Sequence, residues 1–328
     1  MKLKIIIFSI LLFFVFLIIT IPLVYITYYP INKSKKEIEV PKRFSTKQIC
    51  NLLEKKYVIK SAKLLELIIK ISGKEKLIKY GYYIFPANIS YYKIYKILIT
   101  GKQRLIKFTI PEGFNLYQIA DLLEKKGFFK KQEFLNFCFN KKKISKFLNN
   151  GISMEGYLFP DTYIISKDTT IKNVIKVMND NFKKRIIDKL YFDFIKSEFS
   201  LNEVVILASI IQKETYYKKE MPIIASVFLN RLKKGMRLQS DPTVIYGIWK
   251  NFKGNLTKKD IETYTPYNTY RIKGLPPTPI CNPGYYAIFS VLHPAKTDYL
   301  YFVSTNKGYH VFSKTYKEHL KKVNIFQR

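Results

Sequence analysis

The segment ILASIIQKETYYKKEMPIIASVFLNRL, residues Ile206–Leu232, decides how this chain is interpreted. Apolar residues recur three and four positions apart on both sides of a polar stretch, which predicts two helices. The first helix is predicted to end after Tyr217. The second is predicted to begin at Pro222, a residue favoured in a first turn, and to be capped by Gly235 in the left-handed conformation.

One carboxylate lies on the apolar face of the first helix. Glu214 shares that face with residues three, four and seven positions earlier, namely Ile211, Ile210 and Leu207. A carboxylate in such surroundings is either half of a structural ion pair, with Arg231 or Arg237 as its partner, or a group whose pKa is raised by desolvation. The pattern alone leaves both alternatives open.

Polar loops and a hairpin follow the two helices. GMRLQSDPTVIYG (Gly235–Gly247) and YTPYNTYRIKGLPPTPICNPG (Tyr264–Gly284) are rich in Pro, Gly, Asn, Thr and Tyr. Loops of this kind on a rigid scaffold commonly carry binding and catalytic residues. The segment YLYFVSTNKGYHVFS (Tyr299–Ser313) predicts two aromatic-rich strands around an Asn-Lys-Gly turn.

The chain is strongly basic. Its 328 residues include 57 Lys and Arg against 24 Asp and Glu, a formal charge of +33. A nucleic-acid or acidic-lipid partner would explain this excess. However, Lys is spread along the whole chain, and other residues with A- and T-rich codons are abundant too, so we predict compositional bias and no nucleic-acid partner. The three Cys and three His show no metal-ligand spacing, and no metal or other cofactor is predicted.

A long apolar run opens the chain. Residues 5–26 carry no charge and would span about 33 Å as a helix, enough to cross a bilayer. A cleaved signal peptide is the alternative, but the residues after the run lack the small side chains of a cleavage site. We expect an uncleaved, single-pass anchor. Lysines flank the run on both sides, so charge counting does not decide its orientation.

The segment after this run contains an internal repeat. VPKRFSTKQICNLLEKK (Val40–Lys56) aligns without gaps with IPEGFNLYQIADLLEKK (Ile110–Lys126), and nine of 17 positions are identical. Each copy predicts a strand, a turn and an amphipathic helix, and a related GYYIFP (81–86) or GYLFP (156–160) follows. This indicates a tandem α+β module, which serves either as a ligand-binding array or as a spacer.

These patterns together predict an α+β protein. The expected parts are a cytoplasmic N-terminus and transmembrane anchor at residues 1–30, a first α+β module at 31–105, a second at 106–180, and a C-terminal α+β domain at 181–328 that carries most of the unusual polar residues.

The ordered motifs of the last third resemble those of a known family. The segments LASIIQKET (207–215), ASVFLNRLKKGMRLQSDPTVIYG (225–247), PYNTYRIKGLPPTPICNPG (266–284) and HPAKTDYLYFVSTNKGYHVFSKTYKEH (293–319) are similar to the endolytic murein transglycosylases. The similarity extends back through MEGYLFPDTY (154–163) to the apolar run, and so covers in effect the whole chain.

The resemblance implies where the protein works and what it acts on. It implies an inner-membrane anchor with the bulk of the chain outside the cytoplasm, a LysM-like second module, and a catalytic domain at 181–328. It also implies cleavage within peptidoglycan glycan strands and cooperation with glycan-polymerising synthases.

The resemblance assigns catalysis to Glu214. A lytic transglycosylase protonates the leaving oxygen with one acid, and the same group then takes the proton of the muramyl 6-hydroxyl, so a second catalytic carboxylate is not required. Gln212 is a departure, because family members often have Glu at that position. Since Glu214 is retained, this departure puts in doubt only an accessory role for the earlier acid.

Residues of the polar loops are candidates for substrate binding. Side chains that could hydrogen-bond sugar hydroxyls and acetamido groups are Gln239, Ser240, Asp241, Tyr267, Asn268 and Thr269, and Arg237 could bind a lactyl or peptide carboxylate. Structural roles are open for three of them, since Asp241 could cap a turn or helix, and Asn268 and Thr269 could hold their loop. Glu155 and Asp161 are expected to join the repeat module to the catalytic domain rather than to reach the cleft.

Two other classes of function remain open. One is a non-catalytic peptidoglycan-binding membrane protein in which Glu214 is inert. The other is a membrane-anchored binder of nucleic acid or acidic lipid, driven by the positive charge.

Overall fold

The computed structural model describes residues 2–41, 43–101, 105–148 and 151–327, with the backbone alone for residues 2–5, 19, 22 and 25–27. The chain divides into two compact units, Met1–Ile106 with Ile165–Asp168, and Lys107–Ile164 with Thr169–Arg328. In the described ranges, helices are combined with small two-stranded sheets, so the architecture is α+β as predicted. The predicted boundaries at residues 30, 105 and 180 stay predictions.

The first unit is a small α+β body. Its elements are helix α1 (Lys2–Tyr28), strand β1 (Lys36–Val40), helix α2 (Thr46–Lys55), helix α3 (Ala62–Ile71), a 3₁₀ turn (Glu75–Leu77), strand β2 (Gly81–Phe85) and helix α4 (Tyr91–Thr100). Strands β1 and β2 pair antiparallel, with Lys36 opposite Phe85 and Val40 opposite Gly81. Apolar side chains of these elements, among them Leu53, Leu65 and Leu98, form one buried core.

The predicted membrane anchor is not decided by the structure. Among the residues it describes, no helix combines the length and the apolar character needed to cross a membrane. The predicted span of residues 5–26 includes side chains that lie outside the described residues.

The internal repeat is visible at the start of two helices. Helix α2 and helix α5 (Leu116–Lys125) are each ten residues long and each begins with a capping box. The N-cap side chain, Ser45 or Asn115, accepts a hydrogen bond from the backbone N–H of the Gln three residues on, and that Gln side chain accepts one from the N-cap backbone. Both pairs satisfy N–H groups that a helix leaves unpaired. Lys42 of the first copy lies outside the described residues.

The related segments that follow the two copies of the repeat, residues 81–86 and 156–160, differ in structure. The first GYYIF forms strand β2, whereas residues 156–160 are buried without forming a strand, and strand β4 follows them. In the second copy, Gly156 has a φ of 88°, and a Cβ there would lie 2.6 Å from Cγ of Pro279. Only glycine allows the chain to turn this close to another segment.

The remaining elements belong mostly to the second unit. They are β3 (Leu105–Thr109), α5, α6 (Lys131–Cys138), α7 (Lys141–Ile144), β4 (Thr162–Ser166), α8 (Ile171–Phe182), a π-helical turn (Lys183–Ile187), α9 (Tyr191–Lys196), α10 (Leu201–Glu214), α11 (Met221–Lys233), α12 (Asp241–Gly247), a 3₁₀ turn (Trp249–Asn251), α13 (Lys258–Glu262), α14 (Tyr285–Leu292), β5 (Tyr301–Ser304), β6 (His310–Ser313) and α15 (Tyr316–Phe326). Strand β3 pairs with β4, and β5 pairs with β6.

Helix α10 is the central helix of the second unit. Its residues from Val204 to Gln212 are all buried, and it packs against α11 and α14. It ends at Glu214, three residues earlier than predicted, because Thr215 is extended, with φ −146° and ψ 147°. The Thr215 hydroxyl accepts the N–H of Tyr217 at 3.0 Å, a local turn that replaces the next helical hydrogen bond.

Helix α11 and the hairpin follow the sequence prediction closely. Pro222 lies in the first turn of α11. The helix ends in a Schellman motif: the N–H of Gly235 donates to the carbonyl of Leu232 at 3.0 Å, and the N–H of Met236 donates to that of Arg231 at 2.9 Å. Strands β5 and β6 form the predicted hairpin with Ser304 opposite His310. Left-handed conformations at Asn306 and Gly308 make its turn.

Candidate active site

Glu214 is the last residue of α10, at the edge of the buried core. A carboxylate at the C-terminal end of a helix faces the unpaired carbonyl groups there, which disfavour negative charge. The side chain is partly buried, and its Oε1 accepts a hydrogen bond from the Ser240 hydroxyl at 2.5 Å. Ser240 immediately precedes α12, so the contact joins the end of one helix to the start of another.

The surroundings of Glu214 raise the pKa of its carboxyl group towards neutral pH. Burial, the largest cause, raises the pKa of the carboxyl group, the Ser240 hydrogen bond and the charge of Arg231 lower it, and the charge of Asp241 raises it; together they bring the pKa to about 7. A carboxyl group with a pKa near the working pH can both give and take a proton at useful rates. This matches the sequence interpretation of Glu214 as a desolvated acid.

Ser240→Ala tests the contribution of the hydroxyl to this balance. The Ser240 hydrogen bond favours the ionised form of Glu214, so its removal should raise the pKa of Glu214. The dependence of kcat/KM on pH reports the ionisation of the free enzyme. If the free enzyme must have Glu214 protonated, the pH above which kcat/KM falls should move to a higher value. An unchanged or lower value, measured from pH 5 to 9 on both proteins, would contradict this assignment.

A cavity of about 380 Å³ adjoins Glu214. One side is contributed by loop and helix residues that carry polar groups, namely Arg231, Gln239, Asp241 and Tyr270, and the other by the hairpin and α15, with Tyr301, Phe302, His310, Tyr316 and His319 among them. Aromatic faces beside hydrogen-bonding groups are the surfaces that sugars bind. A larger cavity of about 480 Å³ lies elsewhere in the second unit, and none of the described residues that line it is a carboxylate.

Arg231 frames the cavity rather than neutralising Glu214. It is 7% exposed, and its guanidinium donates to the carbonyl of Leu300 at 2.6 Å and to that of Leu238 at 2.7 Å. Its Cζ lies 5.2 Å from the centroid of the Tyr301 ring. Among the ion pairs of the described residues, none within 4.0 Å joins Glu214 to Arg231 or Arg237, so the alternative of a structural ion pair is not supported.

Three of the predicted substrate-binding residues lie beside Glu214. Gln239 lines the cavity and has a left-handed backbone, with φ 51°, a strained conformation for a residue other than glycine. Asp241 also lines the cavity and accepts the hydroxyl of Tyr270 at 2.7 Å. Ser240 contacts Glu214 directly. A role for these three loop residues in substrate binding stays a prediction.

The other predicted substrate-binding residues have different surroundings. Arg237 is exposed and is not among the residues that line the cavity. Asn268 and Thr269 have no exposed surface: the Asn268 amide donates to the carbonyls of Ile261 and Thr263 at 2.9 and 2.6 Å, and the Thr269 hydroxyl accepts the N–H of Ser240 at 2.9 Å. Both residues hold the loops, the alternative left open by the sequence.

Tyr267 is also engaged in the scaffold. Its hydroxyl bonds that of Thr278 at 2.9 Å, and its ring packs edge-to-face on Tyr246 at 4.8 Å. These contacts place it beneath the loop rather than in the cavity wall. A role for Tyr267 in substrate binding stays a prediction.

Glu155 and Asp161 make structural contacts. Glu155 is fully buried and accepts hydrogen bonds from the N–H of Leu116, the hydroxyl of Tyr246 and the amide of Asn282, at 3.0, 2.8 and 3.2 Å. It thus joins α5 of the repeat to α12 and to the loop before α14. Asp161 accepts the amide of Asn181 at 2.9 Å. Neither residue lines the cavity beside Glu214.

Sequence reasoning missed the hairpin side of the cavity. His310 and His319 had no assigned partner, and Glu220 was not singled out. In the structure Glu220 bonds His310, while His319 stacks on Tyr301 at 5.3 Å. The only local signal was the alternation of aromatic residues along the hairpin. Within the described residues, no group of three or more His, Cys, Asp or Glu side chains is arranged to hold a metal ion.

Comparison with known proteins places the chain in a family. The model described as the YceG-like family matches residues 38–325. The chain belongs to the YceG-like family. A yceG-like protein of Listeria monocytogenes, known from a crystal structure, is 34% identical with a TM-score of 0.61, and the match covers 88% of this chain and 99% of that chain.

Relatives of this YceG-like chain have names that state an activity. A protein of Bacillus subtilis named endolytic murein transglycosylase is 34% identical over 313 residues, which cover 89% of this chain and 86% of the relative. A protein of the same name from Streptococcus pneumoniae is 30% identical over 309 residues, and the match spans 84% of this chain and only 56% of that longer protein.

Proposed function

We propose that this YceG-like protein is an endolytic lytic transglycosylase. It cleaves the bond between N-acetylmuramic acid and N-acetylglucosamine inside peptidoglycan glycan strands and leaves 1,6-anhydromuramyl ends. The observation that carries the proposal is Glu214, a carboxyl group with its pKa raised to about 7 by burial in a cavity framed by aromatic and polar side chains. The names of its relatives support the same reaction.

Glu214 serves in both halves of the reaction. Its protonated carboxyl gives the proton to the glycosidic oxygen, and the bond from that oxygen to the muramyl anomeric carbon breaks. The carboxylate left behind then takes the proton of the muramyl 6-hydroxyl, whose oxygen bonds to the anomeric carbon. No water is consumed, and Glu214 is returned to its protonated form.

Asp241 is a second carboxylate at the cavity, so the product must show whether the enzyme is a transglycosylase or a hydrolase. It lines the same cavity as Glu214, and hydrolases of glycosidic bonds use two carboxylates, one of which activates water or attacks the sugar. However, Asp241 is exposed and its Oδ1 accepts the Tyr270 hydroxyl. We therefore assign it to substrate binding and to raising the pKa of Glu214.

Product analysis tests the reaction type. Purified peptidoglycan digested in isotopically labelled water should give fragments with anhydromuramyl ends and no label, because the substrate's own hydroxyl closes the ring. Fragments from the interior of strands should appear early if cleavage is endolytic. Labelled reducing ends would identify a hydrolase, and release of end fragments alone would identify an exo-acting enzyme.

We further propose that residues 5–26 anchor the protein in the cytoplasmic membrane, with residues 31–328 outside the cytoplasm, where it terminates strands made by glycan-polymerising synthases. The uncharged run supports this, as do the exposed side chains of α1, with Phe8, Leu11 and Ile18 at 64, 62 and 70%. Exposed apolar surface of this extent marks a membrane or protein contact. The full chain should sediment with membranes after an alkaline wash; release by the wash would contradict the anchor.

A further inference from the structure

A partly buried histidine–carboxylate pair adjoins the Glu214 cavity. His310 is the first residue of β6 and lines the cavity, and its side chain is 10% exposed. Glu220 directly precedes α11, with a side chain that is 13% exposed. Its Oε1 accepts the backbone N–H of His310 at 2.8 Å, and its Oε2 lies 2.9 Å from Nδ1 of the same residue. One carboxylate therefore fixes both the backbone and the ring of His310.

The carboxylate determines which ring nitrogen carries the hydrogen. A carboxylate oxygen only accepts hydrogen bonds, so the neutral ring must have its hydrogen on Nδ1, which leaves a lone pair on Nε2. In the described part of the chain, Nε2 has no hydrogen-bond partner. It is also not among the fully buried polar atoms that lack a partner there. The Phe302 ring packs edge-to-face against the imidazole at 5.4 Å and restricts its rotation. Nε2 is thus a fixed, available acceptor at the cavity.

The same carboxylate is linked to the position of Glu214. The hydroxyl of Thr215, the residue after Glu214, donates to Oε2 of Glu220 at 3.2 Å. Thr215 is also the residue whose extended conformation ends α10. Glu220 therefore holds the end of the helix that presents Glu214 and the histidine of the hairpin in a single network.

We propose, on the basis of the transglycosylase function above, that His310 is a substrate-binding residue whose Nε2 accepts a hydrogen bond from a sugar O–H or acetamido N–H at the cleavage site, and that Glu220 is its positioning residue. On the hairpin side of the cavity, the donor would meet an imidazole nitrogen beside Tyr301 and Tyr316, which line the same cavity. A donor bound there is fixed relative to Glu214 through Glu220 and Thr215.

Two substitutions separate binding from structure. In His310→Asn, the amide nitrogen takes the place of Nδ1 and still donates to Glu220, but nothing replaces Nε2. The melting temperature of the full chain in detergent should be nearly unchanged, while kcat/KM falls about tenfold, mostly through KM, because a sugar donor is left unpaired. In Glu220→Gln, the amide N–H faces Nδ1, which then becomes the acceptor, so Nε2 becomes a donor and kcat/KM falls similarly.

The double variant shows whether Glu220 acts through His310. Once Nε2 is absent, its orientation no longer matters, so Glu220→Gln should cost little further kcat/KM in the His310→Asn background. Additive losses would mean that Glu220 acts elsewhere. Full activity of His310→Asn would overturn the proposal.

A spectroscopic measurement needs no change at His310. The chain has three His, so the nitrogen spectrum of a protein labelled only at histidine is simple, and Glu214→Gln prevents turnover. The His310 signals should show hydrogen on Nδ1, and the Nε2 signal should shift when soluble glycan strands, freed of peptides by an amidase, are added. A hydrogen on Nε2, or no shift at strand concentrations that saturate binding, would overturn the proposal. Cleavage by Glu214→Gln itself would instead refute the proposed function.

Discussion

Glu214→Gln should remove peptidoglycan cleavage and leave the protein folded. The amide has nearly the size and shape of the carboxyl but neither gives nor takes a proton, and general acid–base catalysis typically contributes about 100- to 10,000-fold. The Ser240 hydroxyl can still donate to the amide oxygen, so the contact at 2.5 Å is replaceable. Release of soluble fragments from purified peptidoglycan, with the melting temperature of the same preparation, measures both effects.

Glu214 forms no ion pair with any residue that the structure describes, which makes this experiment decisive. Removing one partner of a buried ion pair typically costs about 3–5 kcal/mol, but the hydrogen bonds of Arg231 go to carbonyl groups and to Gln239. The melting temperature should therefore stay the same or rise. Asp241→Asn is the matched comparison, since it removes the other carboxylate lining the cavity: it should weaken substrate binding and lower the pKa of Glu214 but, unlike Glu214→Gln, still cleave. Activity in the Gln variant would end the assignment, and equal inactivity of both variants would favour a two-carboxylate hydrolase.

Glu155 should make the free energy of unfolding strongly dependent on pH. Burial raises the pKa of this carboxyl to about 8, against about 4.3 in an unfolded chain. Between these values the folded state keeps the proton and the unfolded state releases it, so stability falls as pH rises, by about 1.4 kcal/mol per unit. Below about 4.3 or above about 8 the two states bind equal numbers of protons and the effect is constant.

Glu155→Gln should remove this dependence. The amide oxygen can keep the donors Leu116 and Asn282, and the amide N–H can donate to the oxygen of Tyr246 once that hydroxyl has turned its hydrogen away. From pH 5 to pH 8, the free energy of unfolding of the variant should rise relative to the wild type by on the order of 4 kcal/mol, measured by denaturant unfolding at each pH.

Glu203→Gln is the control for the Glu155 experiment. Hydrogen bonds from Ser200 lower the pKa of Glu203, so its stabilising effect is present above the unfolded pKa and is lost only in more acidic solution. Between pH 5 and pH 8 its difference from the wild type should be constant. Parallel curves for Glu155→Gln and the wild type would show that Glu155 is ionised in the folded protein.

Local patterns in the sequence predicted the elements that depend on neighbouring residues. The cap at Gly235, the first-turn Pro222 and the hairpin turn are each set by a few consecutive side chains, and all three are present. The end of α10 was misplaced because the apolar spacing continues past Glu214. The deciding factor was the hydroxyl of Thr215, which bonds its own loop and Glu220.

The sequence indicated only those residues of the candidate site that a motif of neighbouring residues marks. The apolar face singled out Glu214 and the resemblance assigned it to catalysis, while Gln239 and Asp241 were chosen as candidates from their polar loop, and all three lie at one cavity. The pairing of His310 with Glu220 joins residues 90 positions apart, and no periodicity reports such a contact. Asn268 and Thr269 have the composition of binding residues, yet they are buried beneath the loop, because a buried backbone also needs polar partners. Composition alone does not distinguish these two uses.

The two carbonyl contacts of Arg231 have a consequence for how substrate is received. Leu238 lies in the loop before α12 and Leu300 in the segment before β5, so one rigid, planar group links two segments whose next residues, Gln239 and Tyr301, line the cavity. The walls are thus ordered when the chain folds, and little conformational entropy is left to lose when a glycan strand arrives. Selection among strands then depends on the fit of the sugar to a preformed surface.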